Sequence, residues 1–261
     1  MQTQLTPKTL LWLNTLGYLG MLLASFEGAT GFIGGKTIPM IGAVQGNTLL
    51  TPAPYAFSIW GLIYLLLLGY IVFQWRQFKA NDNSHSLLPS GLWFAISCVF
   101  YVTWILTWIN GFIWLPLITM AGIVFCLWQL VKRLNLQLGQ ATKTIVWQVW
   151  YPIAIYIGWV TLALGVNTSV VFKFLFPNSF LFSPTTWALI ALAVLISVYI
   201  LYIRYRNMRE TALVGVWGFI AVAVEQWSAS PAISLFALVV SAILVGAVAA
   251  HYRSHKFNII R

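Results

Sequence analysis

The lysines and arginines of this chain are sorted by its apolar runs, and that sorting limits how the polypeptide can be threaded. Taken in order, alternate gaps between the runs hold Lys8; Arg76 and Lys79; Lys132, Arg133 and Lys143; Arg204, Arg206 and Arg209; and Arg253, Lys256 and Arg261. The intervening gaps hold only Lys36 and Lys173. Loops that remain cytoplasmic are enriched in Lys and Arg, so the alternation predicts eight membrane crossings with both termini inside. A chain that is 61% hydrophobic and 7% charged cannot cover a soluble surface with polar groups. Its formal charge of +10 is accounted for by these short juxtamembrane gaps and by attraction to anionic headgroups, which excludes nucleic acid as the partner.

A helix needs about 20 apolar residues to cross the hydrocarbon layer, because each residue rises about 1.5 Å. The hydropathy pattern predicts an all-α polytopic bundle with spans at residues 9–26, 55–75, 91–109, 113–131, 146–171, 185–203, 211–226 and 232–250. The stretch from Asn83 to Val131 has no charged residue and is too long for one crossing. Asn110 and Gly111 in its middle supply turn chemistry, so it folds back as a hairpin. The first run, after Lys8 and ending near Ala24 and Ser25, lacks a clear cleavage site and reads as a retained helix rather than a signal peptide. Between the first two spans, residues 27–54 are rich in Gly and Pro and nearly uncharged, and are expected to pack on the bundle as a lid.

The interior is notable for its lack of ionisable groups. Glu27 and Glu225 fall at the outer ends of spans, while Asp82, Glu210, His85, His251 and His255 fall at or beyond the inner boundary. Pumps and ion-coupled transporters bury such groups at mid-depth, so that class is disfavoured, as are acid–base catalysis and a metal site. Cys98 and Cys126 lie within spans as small hydrophobes. Aromatic residues are the positive signal. Trp60 and Tyr64 are four residues apart, as are Trp104 and Trp108, so each pair lies along one helix face. With Trp159 they form a candidate apolar pocket whose N–H and O–H groups would orient a ligand, although plain helix packing explains the same spacing.

The segment TPAPYAFSIWGLIY, residues 51–64, resembles the signature of the tryptophan-rich sensory protein (TspO/MBR) family. Pro52 and Pro54 match its proline-rich approach, followed by Tyr55, Phe57, Trp60 and Tyr64. A second stretch, YPIAIYIGWVTLALGVN, is similar to the family's fifth-helix motif and puts Pro152, Trp159, Val160 and Asn167 on family positions. Tyr55 stands where the family usually has Trp, its spacing to Trp60 is one residue short, and the third-span motif is not intact, with Trp104 or Trp108 in its place. The resemblance covers residues 10 to 172. It implies a TspO-like five-helix module over 1–172, followed by three further helices over 173–261.

What the resemblance implies for function is a pocket opening toward the long first loop and a flat apolar ligand, a tetrapyrrole such as protoporphyrin or a sterol, with no required cofactor. Tyr55, Phe57, Trp60, Tyr64, Trp104, Trp108, Pro152, Trp159 and Asn167 are the candidate ligand-binding residues. The expected setting is a bacterial cytoplasmic membrane, with membrane lipid as a partner and homodimerisation left open. Alternative readings are a permease for an uncharged or lipid-like solute, and light-dependent porphyrin degradation. Lys36 and Lys173 are candidate partners for a propionate, with simple solvation as the plainer reading. The trio Leu195, Tyr199 and Arg204 fits a weak sterol pattern.

Overall fold

A computed structural model of the chain describes residues 5–45, 48–177, 181–254 and 259–260. The long helices are α1 (Pro7–Thr30), α3 (Ile59–Lys79), α4 (Trp93–Ile109), α5 (Trp114–Arg133), α6 (Tyr151–Leu175), α7 (Pro184–Arg206), α8 (Arg209–Glu225) and α9 (Pro231–Ser254), with a short α2 (Ile38–Gln45) after α1. A 3₁₀ segment, Pro54–Ser58, leads into α3, and a π-turn, Val146–Trp150, leads into α6. All eight apolar runs are therefore helical. By length and composition six of the helical stretches can cross a membrane, whereas α4 and α8 have 17 residues each. At about 1.5 Å per residue these two span roughly 25 Å, about one turn short of a full hydrocarbon crossing. Six of the eight expected crossings are thus long enough by this measure, and each of the two shorter helices is paired in a hairpin with a longer partner, α4 with α5 and α8 with α9.

Helix ends follow local chemistry. Thr6 caps α1 by accepting the Thr9 N–H at 3.2 Å, with Pro7 just inside. Ser183 caps α7 in the same way through Thr186 N–H, before Pro184. At the other end of α7, Asn207 takes a left-handed conformation (φ 56°) and its N–H bonds to Ile203 O at 2.9 Å.

Helix α6 is the hub. It packs against α3, α5, α7 and α8, and its buried residues run from Pro152 to Val171. One continuous core extends from Tyr18 in α1 to Leu244 in α9, so α7–α9 share it with the first five long helices. The junction of α6 with α7 and α8 is tight. Thr211 Oγ1 donates to Ala154 O and Tyr199 O–H donates to Gly158 O, both at 2.8 Å. A Cβ on Gly158 would sit 3.0 Å from Thr211 O, so glycine allows this approach without a shift of either backbone. The sterol-type trio is corrected here: Tyr199 is fully buried with its hydroxyl on Gly158, so it offers nothing to a ligand at a helix surface.

The first loop does pack on the bundle. α2 lies against α4, where Trp108 Nε1 donates to Ile38 O at 3.3 Å. Residues 48–56 then run as a strap to α8: Ala53 N–H donates to Ala221 O at 3.0 Å, and Trp217 Nε1 donates to Ala56 O at 3.1 Å. The buried Glu27 holds the base of the loop, with its two carboxylate oxygens accepting N–H groups from Ile33 (2.8 Å) and Gly34 (3.0 Å). Gln at position 27 offers a single acceptor oxygen. Glu27→Gln is therefore expected to speed amide exchange at Ile33 and Gly34 roughly fivefold, the equivalent of losing about 1 kcal/mol; hydrogen exchange by mass spectrometry measures it. Residues 46–47 and 178–180, which belong to the two outer loops, lie outside the described residues.

Candidate functional site

The 3₁₀ segment and the start of α3 meet the second half of α4 and the stretch 156–167 of α6 beneath α2 and the strap. Trp60 is at the centre. It stacks on Tyr64 (ring centroids 5.7 Å apart, planes at 20°) and receives the edges of Tyr101 (5.0 Å) and Tyr156 (5.9 Å). The ring series continues along α4 from Tyr101 to Trp104 at 5.8 Å and on to Trp108 at 6.4 Å. Trp104 and Trp108 share a face, as their spacing predicts, but they are tilted by 35° and too far apart to stack. Beside this series, Phe57 meets Trp159 edge-on at 5.7 Å.

Polar groups fix these rings. The Tyr64 hydroxyl donates to Ser25 Oγ at 2.7 Å, and Ser25 Oγ donates to Met21 O at 2.7 Å. Tyr101 lies 2.8 Å from the Tyr64 oxygen and 3.0 Å from that of Ser25, so its proton serves one of them. Trp104 Nε1 reaches Asn167 Oδ1 at 3.4 Å, while Asn167 Nδ2 donates to Ala163 O at 2.9 Å. Asn167 is thus a positioning residue for Trp104. Two polar atoms in the box have no hydrogen-bond partner: Tyr156 Oη and Trp159 Nε1, both on side chains almost completely buried. They lie three residues apart on α6 and so face the same way.

Of the nine residues expected from sequence, Phe57, Trp60, Tyr64, Trp104, Trp108, Trp159 and Asn167 come together here. Tyr55 turns instead toward α8, meeting Trp217 edge-on at 5.3 Å. Pro152 lies buried at the start of α6, two turns from Trp159 and apart from the rings. Sequence reasoning missed Ser25, Tyr101 and Tyr156. Tyr101 precedes Trp104 by three residues, as Tyr156 precedes Trp159, so a search for i, i+3 as well as i, i+4 aromatic pairs finds both. Lys36 is exposed in the first loop and Lys173 stands in the last turn of α6. Among the described residues no group of three His, Cys, Asp or Glu side chains is placed to hold a metal ion.

A cleft of about 460 Å³ opens next to the rings, between the start of α3, α6 and α8. Ile59, Leu62, Ile155, Leu213 and Trp217 form its apolar wall and Glu210 stands at one end. None of the nine expected residues lines it.

The whole sequence from residue 11 to residue 250 matches the model of the TSPO-like protein family. The chain belongs to that family. It is an integral membrane protein, and the match continues past residue 172 across α7, α8 and α9, so the last three long helices fall within the TSPO-like region. No curated protein and no solved structure matches the chain.

Proposed function

We propose that this TSPO-like protein is a membrane sensor or carrier that binds a flat apolar molecule, a tetrapyrrole or a sterol-like ring system, in the aromatic box of α3, α4 and α6. The observation that carries this reading is the unpaired Tyr156 hydroxyl and Trp159 N–H within a wall of rings. An unsatisfied donor away from water costs about 1–3 kcal/mol, and a ligand with an acceptor atom at that point offsets the cost. Access is from the side of Phe57, which is 41% exposed, while Tyr101, Tyr156 and Trp159 behind it are buried. The rings touch one another, so binding requires Trp60 or Phe57 to swing aside. We place the box toward the outer face of a bacterial cytoplasmic membrane with both termini inside, on the strength of the twelve-to-two division of Lys and Arg.

Titration of the detergent-solubilised protein with protoporphyrin, followed by tryptophan emission, tests the proposal. The parent is expected to show saturable quenching. In the Trp60→Ala, Trp159→Ala double variant the apparent affinity is expected to fall at least tenfold, with each truncated ring removing stacking area. Equal titration curves for the two proteins rule out the box as the binding site.

A further inference from the structure

The cleft beside the box has a different chemistry. Its wall is apolar, with Leu62 and Leu213 each nearly half exposed, and it contains a single ionisable side chain, Glu210 in the first turn of α8. Gln137 Nε2 donates to Glu210 Oε2 at 2.7 Å, which fixes the carboxylate and leaves Oε1 as its remaining acceptor among the described residues. Among the described residues no Lys, Arg or His side chain forms a salt bridge with Glu210. A partly buried carboxylate at a membrane boundary is stabilised by a cation that also donates hydrogen bonds.

We propose that the cleft binds one bilayer lipid with a primary-ammonium headgroup. The ammonium bonds to Glu210, and the upper part of one acyl chain runs along Leu213 and Trp217 against Leu62. The dimensions suit this occupant. A volume of about 460 Å³ falls within the range of about 300–1,000 Å³ for small-molecule sites, and the seven residue steps from Glu210 to Trp217 span roughly 10 Å of helix. A choline headgroup has the same charges but no N–H, so it cannot form the hydrogen bonds to the carboxylate.

Brominated lipids quench nearby indoles and provide the test. The protein is placed in phosphatidylcholine nanodiscs containing equal mole fractions of brominated phosphatidylethanolamine or brominated phosphatidylcholine. The Trp217 contribution is taken as the difference between the parent and Trp217→Phe. Relative association is expected to favour the ethanolamine lipid about tenfold, as for a charge-assisted hydrogen bond, and Glu210→Gln is expected to make the two lipids equal. Protoporphyrin quenching in Glu210→Gln is expected to match the parent, which separates this site from the aromatic box. Equal quenching by the two lipids in the parent overturns the proposal, and so does a preference that survives Glu210→Gln; the first comparison needs only the parent and Trp217→Phe.

Discussion

Gly158→Val is expected to destabilise the protein by about 3 kcal/mol, at the upper end of the usual cost of overpacking. The new Cβ would meet Thr211 O at 3.0 Å and the Val214 side chain at 3.0 Å. A main-chain carbonyl cannot rotate away as a side-chain tip can, so α6 and α8 must separate. Separation would also lengthen the bonds from Thr211 to Ala154 and from Tyr199 to Gly158. Gly246→Val is the control, because a Cβ there meets nothing within 4 Å. Helix propensity makes that change neutral or slightly stabilising. Thermal unfolding in detergent should show Gly158→Val melting roughly 10 °C below Gly246→Val. Coincident melting curves would mean that the α6–α8 contact is looser than described.

The second large effect concerns a buried amide pair. Asn14 Nδ2 in α1 donates to Gln74 Oε1 in α3 at 3.1 Å, and neither side chain has any exposure. Asn14 Oδ1 and Gln74 Nε2 are left without partners. Asn14→Leu strands the whole Gln74 amide and is expected to cost about 2 kcal/mol. Gln74→Leu should cost a similar amount. The double variant removes every orphaned atom while keeping a similar volume, so it is expected to be at least as stable as the parent. Unfolding midpoints of the parent, both single variants and the double variant form the cycle that measures the pair. Strictly additive losses would show that the two amides act independently.

Much of the fold was legible in the sequence because a membrane span is a strong signal: every apolar run from Pro7 to Ser254 became a helix close to its expected limits. The hairpin turn at Asn110 and Gly111 was read from turn chemistry alone, and Gly111 does take a positive φ of 77°. The short lengths of α4 and α8 were legible as well: the expected limits 91–109 and 211–226 stand beside the observed Trp93–Ile109 and Arg209–Glu225. In the candidate site, Trp60 and Tyr64 were found because they share a helix face. The destination of Tyr55 was not, because its partner Trp217 is far along the chain and no local periodicity links them. Glu27 was placed at a helix end, but its grip on Ile33 and Gly34 depends on a loop conformation that composition does not specify. Asn14 and Gln74 carry no charge and so do not stand out among the ionisable groups of the sequence, although burial makes an unpaired amide nearly as consequential.

The strap across residues 48–56 has a bearing on how far a protein of this kind can be shortened. A polypeptide ending at Leu175 would strip the strap of Ala221 and the Trp217 indole, and would bare α6 around Gly158 to acyl chains. It would be a wounded eight-helix protein rather than a compact five-helix one. A five-helix protein on the same plan would need a side chain where Gly158 stands and another anchorage for the strap.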